Sequence, residues 1–263
     1  MQVIKYFKDI DFIKIFDIQH KETIFKPKSK DDWNNKAESF NQFQNSSYYN
    51  IFLSKINMKK IDSVLDIGCG NGNLALKFLE KGKKVVGLDY SDGMLKAFKE
   101  NTKNYKNVKA IKKAWEEDWS DIDIYDIAVV SKSFEFEDLS VKDAIEKLNS
   151  HVKKGVYLTY YVGNYLDDEI LEVIDRKIVN RPEYILLFNV FYQMGIEAKL
   201  DFIYENNSIK DLKLEEFLKL VEWKIGKLNL KEINKLKEYY ILKKSQNKPL
   251  FNFMKWAYIY WKK

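Results

Sequence analysis

Three glycines at alternating positions, Gly68, Gly70 and Gly72, lie in the segment Val64-Leu-Asp-Ile-Gly-Cys-Gly-Asn-Gly72, with Asp66 just before them and Asp89 seventeen residues beyond. Without Cβ atoms the backbone turns tightly and lets a ligand reach its N–H groups. The spacing is not the dinucleotide fingerprint G-x-G-x-x-G, because position 73 is Asn. Asp66 also puts a negative charge where a dinucleotide would place its pyrophosphate, so the loop suits a ligand with a cationic end. Asp89 closes the next strand, within reach of a ribose lying across the loop. A carboxylate there accepts from both vicinal hydroxyls through charge-assisted bonds, roughly twice as strong as neutral ones.

Other reactive side chains are few. His151 precedes a strand, at the amino end of the sheet, where a structural role is expected; His20, in the N-terminal segment, is expected on the surface. The carboxyl ends of the fourth and fifth strands deliver Ser131-Lys-Ser-Phe-Glu-Phe-Glu137 and Tyr160-Tyr-Val-Gly-Asn-Tyr165, where a second ligand's pocket should form. Glu135, Glu137 and Asp138 read as a solvated helix start rather than as metal ligands, and no metal is expected.

Short β-branched runs alternating with amphipathic stretches must position these groups. Strands are expected at 63–67, 84–89, 108–112, 125–130 and 155–162, and helices at 72–81, after the N-cap Ser91, and at 141–152. That alternation means a parallel sheet covered on both faces. Residues 1–50 look helical, with Trp33, Ala37 and Phe40 on one face. After Val162 the expectation is a helix at 166–178, an apolar stretch at 184–192, a strand at 198–204, and lysine-rich helices at 214–223 and 230–243. The aromatic segment 252–261, with Phe253, Trp256, Tyr258 and Tyr260, suits a last strand.

At these residues the sequence resembles the class I S-adenosylmethionine-dependent methyltransferases, over roughly residues 33–163. Asp66–Gly72 is similar to the family's first motif, and Leu88-Asp-Tyr-Ser-Asp-Gly-Met-Leu95 to its second. The resemblance implies that S-adenosylmethionine is the cofactor and S-adenosylhomocysteine the product. It implies a site of Asp66, Gly68, Cys69, Gly70, Asn71, Gly72, Asp89, Tyr90, Ser91, Met94 and Ser131, with Asp89 on the ribose. Ala114, Trp115 and Glu116 stand where the family's adenine loop follows the third strand, Trp115 against the base and Ala114 or Glu116 at its amino edge. The implied fold is α/β and Rossmann-like: seven mostly parallel strands, the last antiparallel, with helices on both faces. Residues 1–50 would form a helical cap over the cofactor, and 51–263 the methyltransferase domain, with helical insertions at 164–195 and 206–248.

Composition bounds the rest. A chain of 263 residues, 46% hydrophobic and 32% charged, fills a real core and is neither disordered nor disulfide-stapled. One cysteine, no apolar run of spanning length and a charged N-terminus lead to the expectation of a cytoplasmic protein without membrane association. Net charge is +6, and residues 229–263 carry nine lysines against two glutamates. The chain holds only two arginines, the side chains that read guanine and clamp phosphate, so nucleic acid is not the expected partner. The fourth strand is followed by Ser131-Lys-Ser-Phe134, without the Asn/Asp-Pro-Pro-aromatic motif of base amino methylation, and C5 methylation would need a cysteine nucleophile other than Cys69. The expected reaction is methyl transfer to an oxygen or nitrogen of a small molecule, with Trp33, Phe40, Tyr48, Tyr49, Phe191 and Tyr192 enclosing the acceptor. The alternatives are an RNA methyltransferase using the basic C-terminal segment, a cofactor binder without transferase activity, and a dehydrogenase on a related sheet.

Overall fold

The computed structural model describes residues 6–23, 25, 27–40, 47–163, 168–176, 179–205, 212–251 and 254–263, with the side chains of 38–40 outside that description. Seven strands form one sheet: β1 Ser63–Ile67, β2 Lys84–Asp89, β3 Val108–Lys112, β4 Tyr125–Val130, β5 Val152–Tyr161, β6 Lys199–Glu205 and β7 Met254–Lys262. Their order is β3-β2-β1-β4-β5-β7-β6, with β7 antiparallel to both neighbours and the other pairs parallel. The expected antiparallel last strand is present, and it lies inside the sheet rather than at its edge. The order turns back between β1 and β4, and at such a switch point a crevice opens beyond the carboxyl ends of the strands.

Both faces are covered. Leu65, Val86, Leu88, Ala128 and Val130 point to one side, under α1 (Phe12–Glu22), α6 (Val141–Ser150) and α8 (Tyr184–Gln193). Val64, Val85, Ile127 and Val129 point to the other, under α3 (Ser47–Ser54), α4 (Asn73–Leu79) and α5 (Asp92–Thr102). β4 is buried at every position, which is why its sequence is continuous rather than alternating. A third apolar cluster forms a helical satellite of α7 (Asp168–Ile174), α9 (Leu214–Ile225) and α10 (Leu230–Ser245). Phe25, 1% exposed, plugs into it from the N-terminal segment.

The expected strands and helices are found with small shifts. The apolar stretch at 184–192 is a helix because Leu187, Val190 and Phe191 recur on one side and are fully buried. Residues 166–167 and 177–178 of the expected helix, and Asn252 and Phe253 of the expected last strand, lie outside the described residues. No described helix is long and apolar enough to cross a membrane.

Candidate functional site

The glycine loop leaves β1 and is pinned to β2 by Cys69, whose N–H donates to the Leu88 carbonyl at 2.9 Å. Gly68, Gly70 and Gly72 all have positive φ, at 65, 53 and 86°. At Gly68 the need is absolute: a Cβ there would sit 2.3 Å from Ser133 Cβ, and the Ser133 hydroxyl donates to the Ile67 carbonyl at 2.6 Å. The loop is thus packed against the segment that follows β4, and Gly72 serves as N-cap of α4. Asn71 is buried, and its carbonyl accepts from Asn101 Nδ2 at 2.9 Å. The Cys69 thiol is buried, and burial with the nearby Asp89 and Asp66 charges raises its pKa, so it stands as a neutral packing group rather than a nucleophile.

Asp89 joins the two halves of this site. One carboxylate oxygen accepts from Gly70 N–H at 2.9 Å and the other from Ser91 N–H at 2.9 Å, while Ser91 Oγ accepts from Met94 N–H at 3.1 Å and caps α5. The Tyr90 N–H is a further backbone donor to this carboxylate. Burial raises its pKa against those backbone donors. Asp66, 1% exposed, is different: its Oδ2 is buried without a hydrogen-bond partner among the described residues, and burial followed by the Asp89 charge pushes its pKa up to about 7. A buried carboxylate oxygen left unpaired costs stability unless something supplies a donor or a positive charge.

Behind and above the loop stand the other expected residues. Met94 is buried, with its sulfur 4.0 Å from where a Gly70 Cβ would lie. Tyr90 donates to the Lys28 carbonyl at 2.6 Å, and burial with the Asp89 charge raises its pKa. Ser91 Oγ and Gly93 N–H both donate to Asn34 Oδ1, at 2.8 and 2.9 Å, which fixes α2 (Lys30–Phe40) on α5. Ser131 Oγ meets the buried Tyr48 hydroxyl at 3.0 Å, and Tyr48 also meets Thr159 Oγ1 at 2.7 Å. Ala114 N–H donates to Glu117, and Glu116 Oε1 accepts from Glu137 N–H, both at 2.8 Å. The Trp115 ring is turned into the core, 8% exposed, with Nε1 donating to the Ser133 carbonyl at 3.0 Å and Phe134 packed edge-on. That ring therefore backs the loop from behind.

Three expectations about the acceptor side need correction. His20 is packed rather than on the surface: its Nε2 pairs with the Phe136 carbonyl at 2.6 Å, its ring stacks on Phe16, and burial lowers its pKa. His151 is structural, as expected, held by the Lys147 and Trp119 carbonyls. Glu135 belongs to no solvated helix start, since α6 is capped by Ser140 and Asp17. Its Oε1 takes Arg181 Nη1 at 2.5 Å and the Tyr161 hydroxyl at 2.9 Å, and its side chain is 17% exposed. Sequence proximity could not have paired it with an arginine 46 residues away. The aromatic set does not enclose one space either. Phe191 packs on Trp261 at the amino edge of β5, Tyr192 is 61% exposed, Trp33 meets Trp223, and the Phe40 side chain lies outside the described residues. Tyr48 and Tyr49, by contrast, sit near the carboxyl ends, against Trp256 and Asn73.

The family model described as a methyltransferase domain matches residues 64–155, the segment that carries this site. An uncharacterized protein of Haemophilus influenzae is 36% identical over 221 residues, 82% of either chain. A "Probable cobalt-precorrin-6B C(15)-methyltransferase (decarboxylating)" of Methanobrevibacter smithii is 33% identical over 161 residues, 59% of this chain and 82% of that one. Among solved structures, coclaurine N-methyltransferase bound to N-methylheliamine and S-adenosylhomocysteine superposes with a TM-score of 0.53 at 14% identity, over 98% of this chain and 88% of its own. The residues present fit the family's cofactor. The unpaired Asp66 oxygen matches a ligand bearing a positive charge, and the Gly68 cradle leaves room for backbone contact. Alternating glycines that turn a buried strand into a helix, an acid ending the next strand, a sheet reversed at its seventh strand and these relatives agree: the chain belongs to the class I S-adenosylmethionine-dependent methyltransferases.

Proposed function

We propose that the enzyme methylates an oxygen or nitrogen of a small molecule, holding S-adenosylmethionine with Asp66, Gly68, Cys69, Gly70, Asn71, Gly72, Asp89, Tyr90, Ser91, Met94, Ala114, Trp115, Glu116 and Ser131. The cofactor supplies a methyl group on a good leaving group. The chain's own work is to bind, orient and keep out water, and orientation alone can remove ~7 to 11 kcal/mol of barrier. In this reading Asp66 takes the cofactor's positive end, Asp89 its ribose, and residues 1–50 close over it as a cap tied down at Asn34 and Lys28.

One observation carries the choice of a small acceptor. The carboxyl ends of β4 and β5 are roofed by α1 and by the segment before α8: Gln19 Nε2 donates to the Asn180 and Arg181 carbonyls at 3.2 Å, and Thr23 Oγ1 to the Val179 carbonyl at 3.0 Å. A roof of that kind suits a compact substrate better than a polymer. At least four of the nine lysines of the basic C-terminal segment have partners within the molecule: Lys243 pairs with Glu169, Lys235 lies near Asp175, Lys255 stands over Phe202, and Lys263 donates to the Asn149 carbonyl. RNA binding measured at 50 and 200 mM salt tests this reading. We expect no specific affinity, and a Kd that tightens steeply at low salt together with methylated RNA would overturn it.

A further inference from the structure

Two partly buried ion pairs lie at the carboxyl edge of the sheet, and they differ in one respect. Lys132 meets both Glu205 oxygens, at 2.8 and 2.9 Å, and Trp256 Nε1 donates to Glu205 Oε2 at 2.7 Å, so that carboxylate is fully used. Lys132 itself, at φ 59°, lies over the Tyr48 ring at 3.9 Å and reads as a structural latch. At Glu135 both donors, Arg181 and Tyr161, converge on Oε1, and Oε2 has no hydrogen-bond partner among the described residues. The arginine is held in turn, its guanidinium 5.0 Å from the Tyr161 ring centroid and its backbone clamped by Gln19. An ion pair out of water is costly compared with apolar packing, and removing one partner from it costs more. A carboxylate fixed by one oxygen and open at the other is therefore arranged for a donor that the described residues do not provide.

Its position is right for the acceptor. Glu135 is two residues from Ser133, the residue packed against Gly68, so its Cα lies within about 7 Å of the Ser133 Cα. Tyr90 lies close enough to both Asp89 and Glu135 to feel their charges. The Tyr160 ring and the His20 imidazole, packed against Phe136, lie close enough to Glu135 to feel its charge and bring ring surface alongside. The chemistry then selects nitrogen over oxygen. A carboxylate is about six pKa units less basic than a phenolate, so it is a poor base for a hydroxyl that must lose its proton before attack. A neutral amine already has its lone pair, and positive charge grows on nitrogen during the transfer, where a fixed carboxylate stabilises it.

Building on the cofactor site proposed above, we infer that Glu135 is the acceptor-binding residue and that the acceptor is an amine with an apolar body. The amine N–H donates to Glu135 Oε2, which aims the lone pair at the methyl carbon. The N–C bond forms as the C–S bond breaks, its electron pair remaining on sulfur. The methylated ammonium passes its proton to solvent after release, so Glu135 takes none. Arg181 and Tyr161 are positioning residues that turn Glu135.

The test is a calorimetric titration of the protein saturated with S-adenosylhomocysteine, using benzylamine, benzyl alcohol and benzoate as probes of one shape. Benzylamine is expected to bind at least tenfold more tightly than either of the others. Glu135→Gln should bring it to the level of the alcohol while leaving S-adenosylhomocysteine affinity unchanged. Equal or tighter binding of alcohol or benzoate, binding of none, or a preference that survives Glu135→Gln overturns the inference. The ranking on the unaltered protein decides by itself should the variant not fold. If S-adenosylhomocysteine itself fails to bind, the cofactor site falls first and the inference goes with it; saturation followed by a wrong ranking removes the inference alone.

Discussion

Asp66 is the residue whose behaviour the structure specifies most sharply. Its pKa, pushed up to about 7 by burial and then by Asp89, lies above the ordinary carboxylate value, so the folded state without ligand holds a proton that the unfolded chain has lost. The Asp66 contribution to stability is therefore intact below about pH 4 and declines as pH rises towards 7. Asp66→Asn should flatten that slope in a series of thermal melts. A cationic ligand favours the ionised form, so the affinity for S-adenosylmethionine, a sulfonium, should climb by up to tenfold per pH unit towards about 7 and then level off, a trend that Asp66→Asn abolishes while weakening binding. Asp89→Ala removes a carboxylate that organises Gly70 and Ser91 and that, in the proposed site, receives the ribose. The loss of one charge-assisted bond, ~1.5 to 3 kcal/mol, predicts a Kd at least tenfold weaker by calorimetry.

Among the elements, α2 and α3 carry the testable load. Asn34 is the point at which α2 grips the start of α5, and Gly93 leaves no room there, since a Cβ would lie 2.9 Å from Asn34 Cα. Asn34→Ala should weaken cofactor binding several-fold and speed proteolysis in residues 27–30, with little change in the far-ultraviolet circular dichroism. Tyr48 in α3 bridges Ser131 and Thr159 with a hydroxyl that is completely buried. Tyr48→Phe leaves those partners short of one bond and should cost about 1–2 kcal/mol, read as a Tm lower by a few degrees.

On the scale of the whole molecule, β7 decides whether the sheet exists. It pairs with β5 from Gly155↔Lys262 to Tyr161↔Trp256 and with β6 from Lys199↔Tyr260 to Glu205↔Met254, and its Trp256, Tyr258 and Trp261 are buried. Gly155 fits because a Cβ would stand 2.4 Å from the Trp261 carbonyl oxygen. Removing residues 254–263 strands β6 and takes three buried aromatic residues out of the core, so the shortened chain should lose its cooperative melting transition. The N-terminal segment works across the same distance. Phe25 in the satellite, Asp17 on α6 and Asn34 on α5 bind three separate bodies to one strip of chain.

The sequence by itself determined the local grammar: which runs are strands, that Ser91 caps a helix, and that Gly68 through Gly72 with Asp66 and Asp89 form one loop site. These follow from nearest neighbours, because burial period, capping and the lack of Cβ act over a few residues. The aromatic ends misled, since ring composition says nothing about which edge of the sheet a ring reaches; Phe191 and Tyr160 are equally buried, yet lie at opposite ends of β5. Only the tertiary structure could decide that Glu135 meets Arg181 and Tyr161, that His20 is packed under Phe136, and that β7 lies inside the sheet. Those pairings are set by the sheet order and by desolvation of charges brought together from distant parts of the chain.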